Sequence, residues 1–375
     1  MSTSSVLHVG LEVDGAGAHP AAWRAAARSS SDALGPARLR DVVAAAENAG
    51  VTFVTFDDSL VPPAAGPAGR LDAVTRAAYV APLTSRIGLV PLVHPAVTEP
   101  FHVASQLAAL DHASLGRGGW FVGAGDVPGA RRALDRPVAA GADLLDETAD
   151  VVTVVRDLWD SWEDDAVVRD SATGRYVDRD RLHYVDFASG GEGLPAGPSS
   201  RGTADGVRAP FTVKGPSIVP RSPQGQLVVV GRAGTVPGGL LDVALVATTD
   251  AAARAREDGA PLVVVDLAVT LDAAGRLGAD RRAELDGLAG VPVPATWTGS
   301  AVDLVDVLLG LRGVVDGVRL LPSELDVDLP VLVRDVLPAL RVARAVPTPR
   351  PGATLRDTLG LPRPTNRHVA AAATV

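Results

Sequence analysis

Cysteine is absent from all 375 residues. That excludes a disulfide framework, a thiolate metal site and a thiol nucleophile. Aromatic residues are scarce, 4% against 47% hydrophobic residues, so the interior has to be built mainly from Ala, Val and Leu. Small and branched aliphatics of that kind suit parallel strands buried on both faces. An excess of basic residues is lacking too: 35 Lys and Arg stand against 44 Asp and Glu, a formal net charge of −9. Nucleic acid selects for basic faces that neutralise phosphates, so no nucleic-acid partner is expected. No apolar run reaches the roughly 18 residues of a membrane helix. The opening MSTSSVLHVGLEV does not have the basic, apolar and small-residue segments of a secretory signal. A cytoplasmic protein without membrane contact is the expectation.

What is present is alternation. Short β-branched runs are followed by amphipathic patterns, the signature of βα repeats around a parallel sheet. Strand candidates are 6–13, 51–58, 85–93, 116–125, 227–234, 240–250, 261–271 and 315–322, with helical patterns over 37–50, 99–116 and 144–162 among them. Eight strands in one chain predict an α/β fold with a single (β/α)8 TIM barrel, whose usual size is about 250 residues before insertions. The surplus is assigned to an insertion after the fourth strand, about 163–210, and a proline-rich C-terminal extension, about 345–375, packed over the barrel. Residues 189–208, rich in Gly, Ser and Pro, are expected to be the most mobile part of the one domain spanning 1–375.

In such a barrel the chemistry sits at the C-terminal strand ends. Reading those ends in order gives Asp14 and His19, Asp57 and Asp58, His94, Gly123 to Asp126, Arg232 to Thr235, and Thr248 to Asp250. Each also has a plain structural reading. Asp58 suits a helix N-cap, His19 a surface position, and His94 a space-filling one. No triad, metal cluster or P-loop competes for the role of active site, and no metal is expected.

Residues 86–125, RIGLVPLVHPAVTEPFHVASQLAALDHASLGRGGWFVGAG, together with the blocks LWDSWEDDAVVRDSATGRYVDRDRLHYVDF, FTVKGPSIVPRSPQGQ and GATLRDTLGLPRP, resemble the bacterial luciferase-like, flavin-dependent monooxygenases. The likeness is to the branch with nitrilotriacetate and dibenzothiophene-sulfone monooxygenases, and it runs from about residue 6 to 368. It implies a two-component enzyme: reduced FMN arrives from a separate flavin reductase as a co-substrate, and a small organic substrate is oxidised with O2. Asp58, just before Ser-Leu, corresponds to an acid near the flavin ring, and His19 lies in a matching segment, GAGAHPAAWR, as a proton carrier. His94 replaces a hydroxyl residue of the relatives and is a candidate donor to a flavin carbonyl; with His19 it makes the catalytic pair. Phe121 stands where close relatives have Asn, and Gly123 begins a Gly-x-Gly strand ending. In GRAGTVPGG, Arg232, Gly234 and Thr235 occupy the place of a Gln-Ala-Gly-x-Ser cradle for the FMN phosphate. These departures keep two further readings open. One is a degenerate barrel, a non-catalytic subunit or flavin-binding paralogue paired with a homologue, which binds no flavin if degeneration is complete. The other is a deazaflavin-dependent oxidoreductase. Pairing through helices on the barrel side, as a homodimer or heterodimer, fits any of the three.

Overall fold

The apolar runs expected as strands all take up that form in the computed structural model, which describes residues 6–26, 34–61, 69–124, 138–189, 211–290, 293 and 295–372. They are β1 (His8–Glu12), β2 (Phe53–Phe56), β3 (Gly88–Val93), β4 (Gly119–Val122), β5 (Val228–Arg232), β6 (Val243–Val246), β7 (Leu262–Leu271) and β8 (Gly317–Pro322). Each pairs in parallel with the next. Because β8 also pairs with β1, the sheet closes, and the fold is the expected (β/α)8 barrel.

Between the strands run α1 (Pro36–Asn48), α2 (Ala73–Val80), α3 (Pro100–Ala113), α4 (Gly141–Asp160), α5 (Ala252–Glu257), α6 (Gly278–Ala289) and α7 (Ala301–Gly310), and α8 (Leu325–Val331) follows the last strand. Their starts are written in the sequence. Proline occupies the first turn of α1 and α3, where its missing N–H costs nothing. Asp72 caps α2 by accepting from the Thr75 amide at 2.9 Å, and Ser300 with Asp303 forms a capping box on α7. After β5 there is no α-helix, only the 3-10 turn Gly238–Leu240.

Strand alternation divides the core in two. Val9, Leu11, Val54, Phe56, Leu89, Trp120, Val229, Val263, Val318 and Leu320 belong to the layer shared with the helices. Phe53, Val90, Leu92, Phe121, Val228, Val230, Val243, Leu245 and Val264 form the lumen cluster, with Leu355, Leu359 and Leu361 from the C-terminal segment. The extension therefore does more than lie over the barrel: it plugs the N-terminal end. The Leu355 amide donates to the Gly116 carbonyl at 2.9 Å, just ahead of β4. Arg356, buried, donates to the Gln226 carbonyl at 2.7 Å and to Asp242 at 2.9 Å. Glycine at 88 admits the plug, since a Cβ there would stand 2.5 Å from Leu355 Cδ1.

The DHASLGRGGW turn is scaffold at that same end. Asp111 accepts from the Gly118 amide at 2.9 Å and from Gln224 Nε2 at 2.6 Å. Arg117 donates to the Ile87 and Ala81 carbonyls at 2.8 and 2.9 Å. Beyond α4 two antiparallel strand pairs form, Val167–Asp170 with Arg175–Val177 and Val185–Ala188 with Thr212–Gly215. Of the segment expected to be mobile, 190–208 lies outside the described residues. No helix among the described residues is long and apolar enough to cross a membrane.

Leu355→Ala empties part of the plug. It is expected to cost about 2–5 kcal/mol, as buried Leu truncations do, read as a lower denaturant midpoint; an unchanged midpoint would mean that the plug does not hold the barrel.

Candidate active site at the barrel mouth

With its N-terminal end filled, the lumen is approached from the C-terminal strand ends, and there its lining changes from aliphatic to charged. Arg319 stands third in β8, directly beside Asp266 of β7 and Gly10 of β1. Its side chain is 1% exposed. It grips Asp266 with two bonds of 2.7 Å, from Nε and Nη2, and shares Nη1 between Glu12 Oε2 and Thr55 Oγ1 at 3.3 Å each. Arg232, the last residue of β5, donates to the same Asp266 at 2.9 Å. Both guanidiniums lie over the Phe121 ring, Arg319 at 5.0 Å and Arg232 at 5.9 Å from its centroid. Such contacts are worth about 0.5–2 kcal/mol, more when desolvated.

Glu12 is the poorly paired member. Burial pushes its carboxyl up to about 7; Arg319 pulls the other way, and Asp57, Asp14 and Asp266 add to the push. A second cluster adjoins it. Asp14 is bonded by Arg76 and, at 2.9 Å, by Arg70, while Arg76 also donates to the Asp57 carbonyl. Burial, then the neighbouring Asp14, raises the Asp57 carboxyl above its usual range.

The structure brings some of the expected residues to this mouth and sends others elsewhere. Phe121 and Arg232 belong to the charged floor just described. His94 stands beside them at the exit of β3, its Nδ1 3.1 Å from the Gly123 carbonyl. A carbonyl only accepts, so the proton is on Nδ1, and Nε2 is buried with no partner among the described residues. Gly123 makes room for this ring: a Cβ there would lie 2.7 Å from His94 Nδ1. Asp58 turns away, accepting from the Ser59 amide at 2.7 Å and the Ala73 amide at 2.8 Å, so it anchors the start of α2.

His19 is buried, contrary to the surface reading. Its Nδ1 accepts from the Ala21 amide at 3.1 Å and its Nε2 lies 3.2 Å from Asp286 of α6, so both nitrogens are engaged. Thr248 to Asp250 runs into the 3-10 turn Thr249–Ala251 ahead of α5. Gly125 and Asp126 lie outside the described residues.

The exit of β5 does not fit a flavin phosphate in the expected way. Gly234 takes a positive φ of 81°, as a tight turn requires. Thr235 spends its hydroxyl on the Arg232 carbonyl at 2.6 Å and its amide on the same oxygen at 3.1 Å. The Ala233 amide goes to the Leu245 carbonyl at 2.9 Å. With no α-helix after β5, the aligned free amides of an anion cradle are not built there.

Glu12, Asp266 and Arg319 were not singled out from the sequence, yet each leaves a trace in it. Each is a lone charge inside an apolar strand, in VLHVGLEV, LVVVDLAV and GVRLLP. A cavity of about 200 Å³ lies beside the ring between α1 and α2, walled by Val13, Leu39, Val42, Leu71 and Tyr79. Of the mouth's charges, Arg76 lines it.

Comparison with known proteins bears on this mouth. The family model for luciferase-like monooxygenases matches residues 18–195. One of the subunits of pristinamycin IIA synthase from Streptomyces pristinaespiralis is 30% identical over 344 residues, 90% of this chain and 95% of that protein. N-acetyl-S-(2-succino)cysteine monooxygenase from Bacillus subtilis (strain 168) is 30% identical over 233 residues, 61% of this chain. That match spans about half of the relative's own length, 48%. Among solved structures, a riboflavin lyase crystallised with modified FMN and riboflavin superposes with a TM-score of 0.77 at 19% identity, covering 97% of this chain and 98% of that one.

The raised Glu12 carboxyl has a consequence for stability. An acid whose folded pKa lies above its unfolded value favours folding most at low pH, and that contribution is lost as pH rises from about 4.5 to about 7. Glu12→Gln is therefore expected to be more stable than wild type at pH 8 by up to about 3 kcal/mol. The difference should vanish near the acid end of that window. Denaturant melts at both ends check it, and a difference that does not change with pH would contradict it.

Proposed function

Because the chain belongs to the luciferase-like monooxygenase family, we propose that it is the oxygenase component of a two-component system. In this reading a separate reductase supplies reduced flavin, and a small organic substrate is oxidised with O2. The observation that carries it is the polarity of the lumen: aliphatic and plugged at one end, it presents Glu12, Arg319, Asp266 and Arg232 at the other. The flavin, when bound, supplies the oxygen chemistry, and the protein supplies binding, orientation and exclusion of water. His94 offers a buried Nε2 acceptor for a ligand hydrogen-bond donor. Arg232, with its side chain 56% exposed, offers a charge to whatever enters. His19 and Asp58, bonded elsewhere, hold the surrounding loops in place.

The exit of β5 favours a second reading. A barrel without the phosphate cradle could serve as the non-catalytic partner of a flavin-binding homologue, and a relative matched almost end to end carries the name of one synthase subunit.

Anaerobic titration with reduced FMN, oxidised FMN and deazaflavin separates the readings. Saturable binding of a reduced cofactor is expected. No binding of any of the three on the order of tens of micromolar would remove the oxygenase reading and leave the non-catalytic partner. Thr235→Val is expected to leave flavin affinity within about twofold, because the hydroxyl is already bonded within its own turn. A tenfold loss, about 1.4 kcal/mol, would restore residues 232–235 as the phosphate site.

A further inference from the structure

The charged floor of the mouth is expensive to build. Burying an ion costs several kcal/mol after relaxation, and Val228, Val230, Leu245 and Val264 show that this lumen is otherwise filled with aliphatic side chains. Two guanidiniums, Arg232 and Arg319, converge on one carboxylate, Asp266. Asp266 can neutralise only one of them. Glu12 is the remaining acid on the floor, and its ion-pair contact with Arg319 is a long one, 3.3 Å. While Glu12 keeps its proton the floor carries one excess positive charge, and when Glu12 ionises the excess disappears. Arg232 is the member that faces outwards, over the Phe121 ring. A guanidinium is a fork of N–H donors matched to planar oxygen anions.

We propose that Arg232, joined through Asp266 to the buried Arg319 and seated on Phe121, forms a receptor for the anionic group of a small organic molecule, with Glu12 setting its pH dependence. The proposal rests on the mouth being the substrate site, and it names the class of substrate: one that bears a carboxylate or phosphate. Glu12 is the specificity-determining residue because its proton decides whether the floor carries excess positive charge. The groups facing it come from every neighbouring element: Arg319 of β8, Asp266 of β7, Thr55 of β2, Asp57 at the exit of β2, and Asp14 beyond its own strand. Arg70 and Arg76 stand behind Asp14 and are already bonded to it. An anion entering above Arg232 therefore favours protonated Glu12, and its binding takes up a proton near neutral pH.

Calorimetry with tricarballylate, its trimethyl ester and inorganic phosphate tests this on the intact chain without flavin or reductase. Failure here is thus separate from failure of the oxygenase reading. Tricarballylate or phosphate should bind saturably, the tighter of the two identifying the anionic group, and the ester should not bind. Affinity should fall about tenfold between about pH 6.5 and pH 8.5 as Glu12 ionises, with proton uptake visible in buffers of different ionisation enthalpy. Arg232→Gln should weaken binding at the lower pH by about tenfold or more, and Arg232→Lys by less. Glu12→Gln should keep the low-pH affinity throughout and lose the pH dependence, with thermal melting confirming that both variants are folded. Binding of the ester as tight as that of the acid would overturn the proposal. So would absence of binding at about 10 mM, or an unchanged pH profile in folded Glu12→Gln.

Discussion

Closure of the ring between β8 and β1 is the constraint on which the rest depends. The pairing sets Val318 beside Val9 and Arg319 beside Gly10, and the β7 pairing sets Asp266 beside Arg319. A slip of one residue would turn Arg319 into the helix layer now filled by Val318 and Leu320, and would bring those two into the lumen. Gly10 is part of the same constraint, because a Cβ there would stand 2.4 Å from Phe53 Cζ. The register thus fixes both the packed middle of the barrel and the ion pairs above it.

Along its axis the lumen passes through three environments. Leucines of the C-terminal segment fill one end, β-branched residues and Phe53 fill the middle, and Arg319, Asp266, Glu12 and Arg232 occupy the other end. The aliphatic layer below keeps the local dielectric low, which strengthens each charge interaction above it. It also leaves a carboxyl such as Glu12 without enough solvation to ionise at its ordinary pH. The charged end is consequently tuned by the apolar one.

Much of this was legible in the sequence, for a physical reason. Strands buried on both faces write themselves as β-branched runs, and helix starts write themselves as Pro36, Asp72, Glu99 and Ser300. The barrel and its strand ends follow from those signals. Site assignments transferred less well, because a residue's position at a strand end does not say which way it turns. Asp57 and Asp58 are neighbours, yet one carboxyl is buried near Asp14 and accepts from the next residue's amide, while the other accepts from the Ser59 and Ala73 amides. Thr235 has the right chemistry for a phosphate, but its hydroxyl closes its own turn. Glu12, Asp266 and Arg319 became visible only with closure, since residues 12, 266 and 319 meet only when the last strand reaches the first.

The plug at the N-terminal end has a bearing on how the chain is made. Leu355, Leu359 and Leu361 follow every barrel strand in the order of synthesis, yet they complete the inside of that barrel. While they are still within the ribosome's exit tunnel, the nascent ring has all eight strands but an unfilled base. Its apolar lumen stays wettable, and the starts of β3, β4 and β5 lack the contacts that Leu355 and Arg356 later supply. Consolidation of the ring therefore waits for a segment made after it, and the interval before that segment docks is when the unfilled base is most open to capture by chaperones or by other chains.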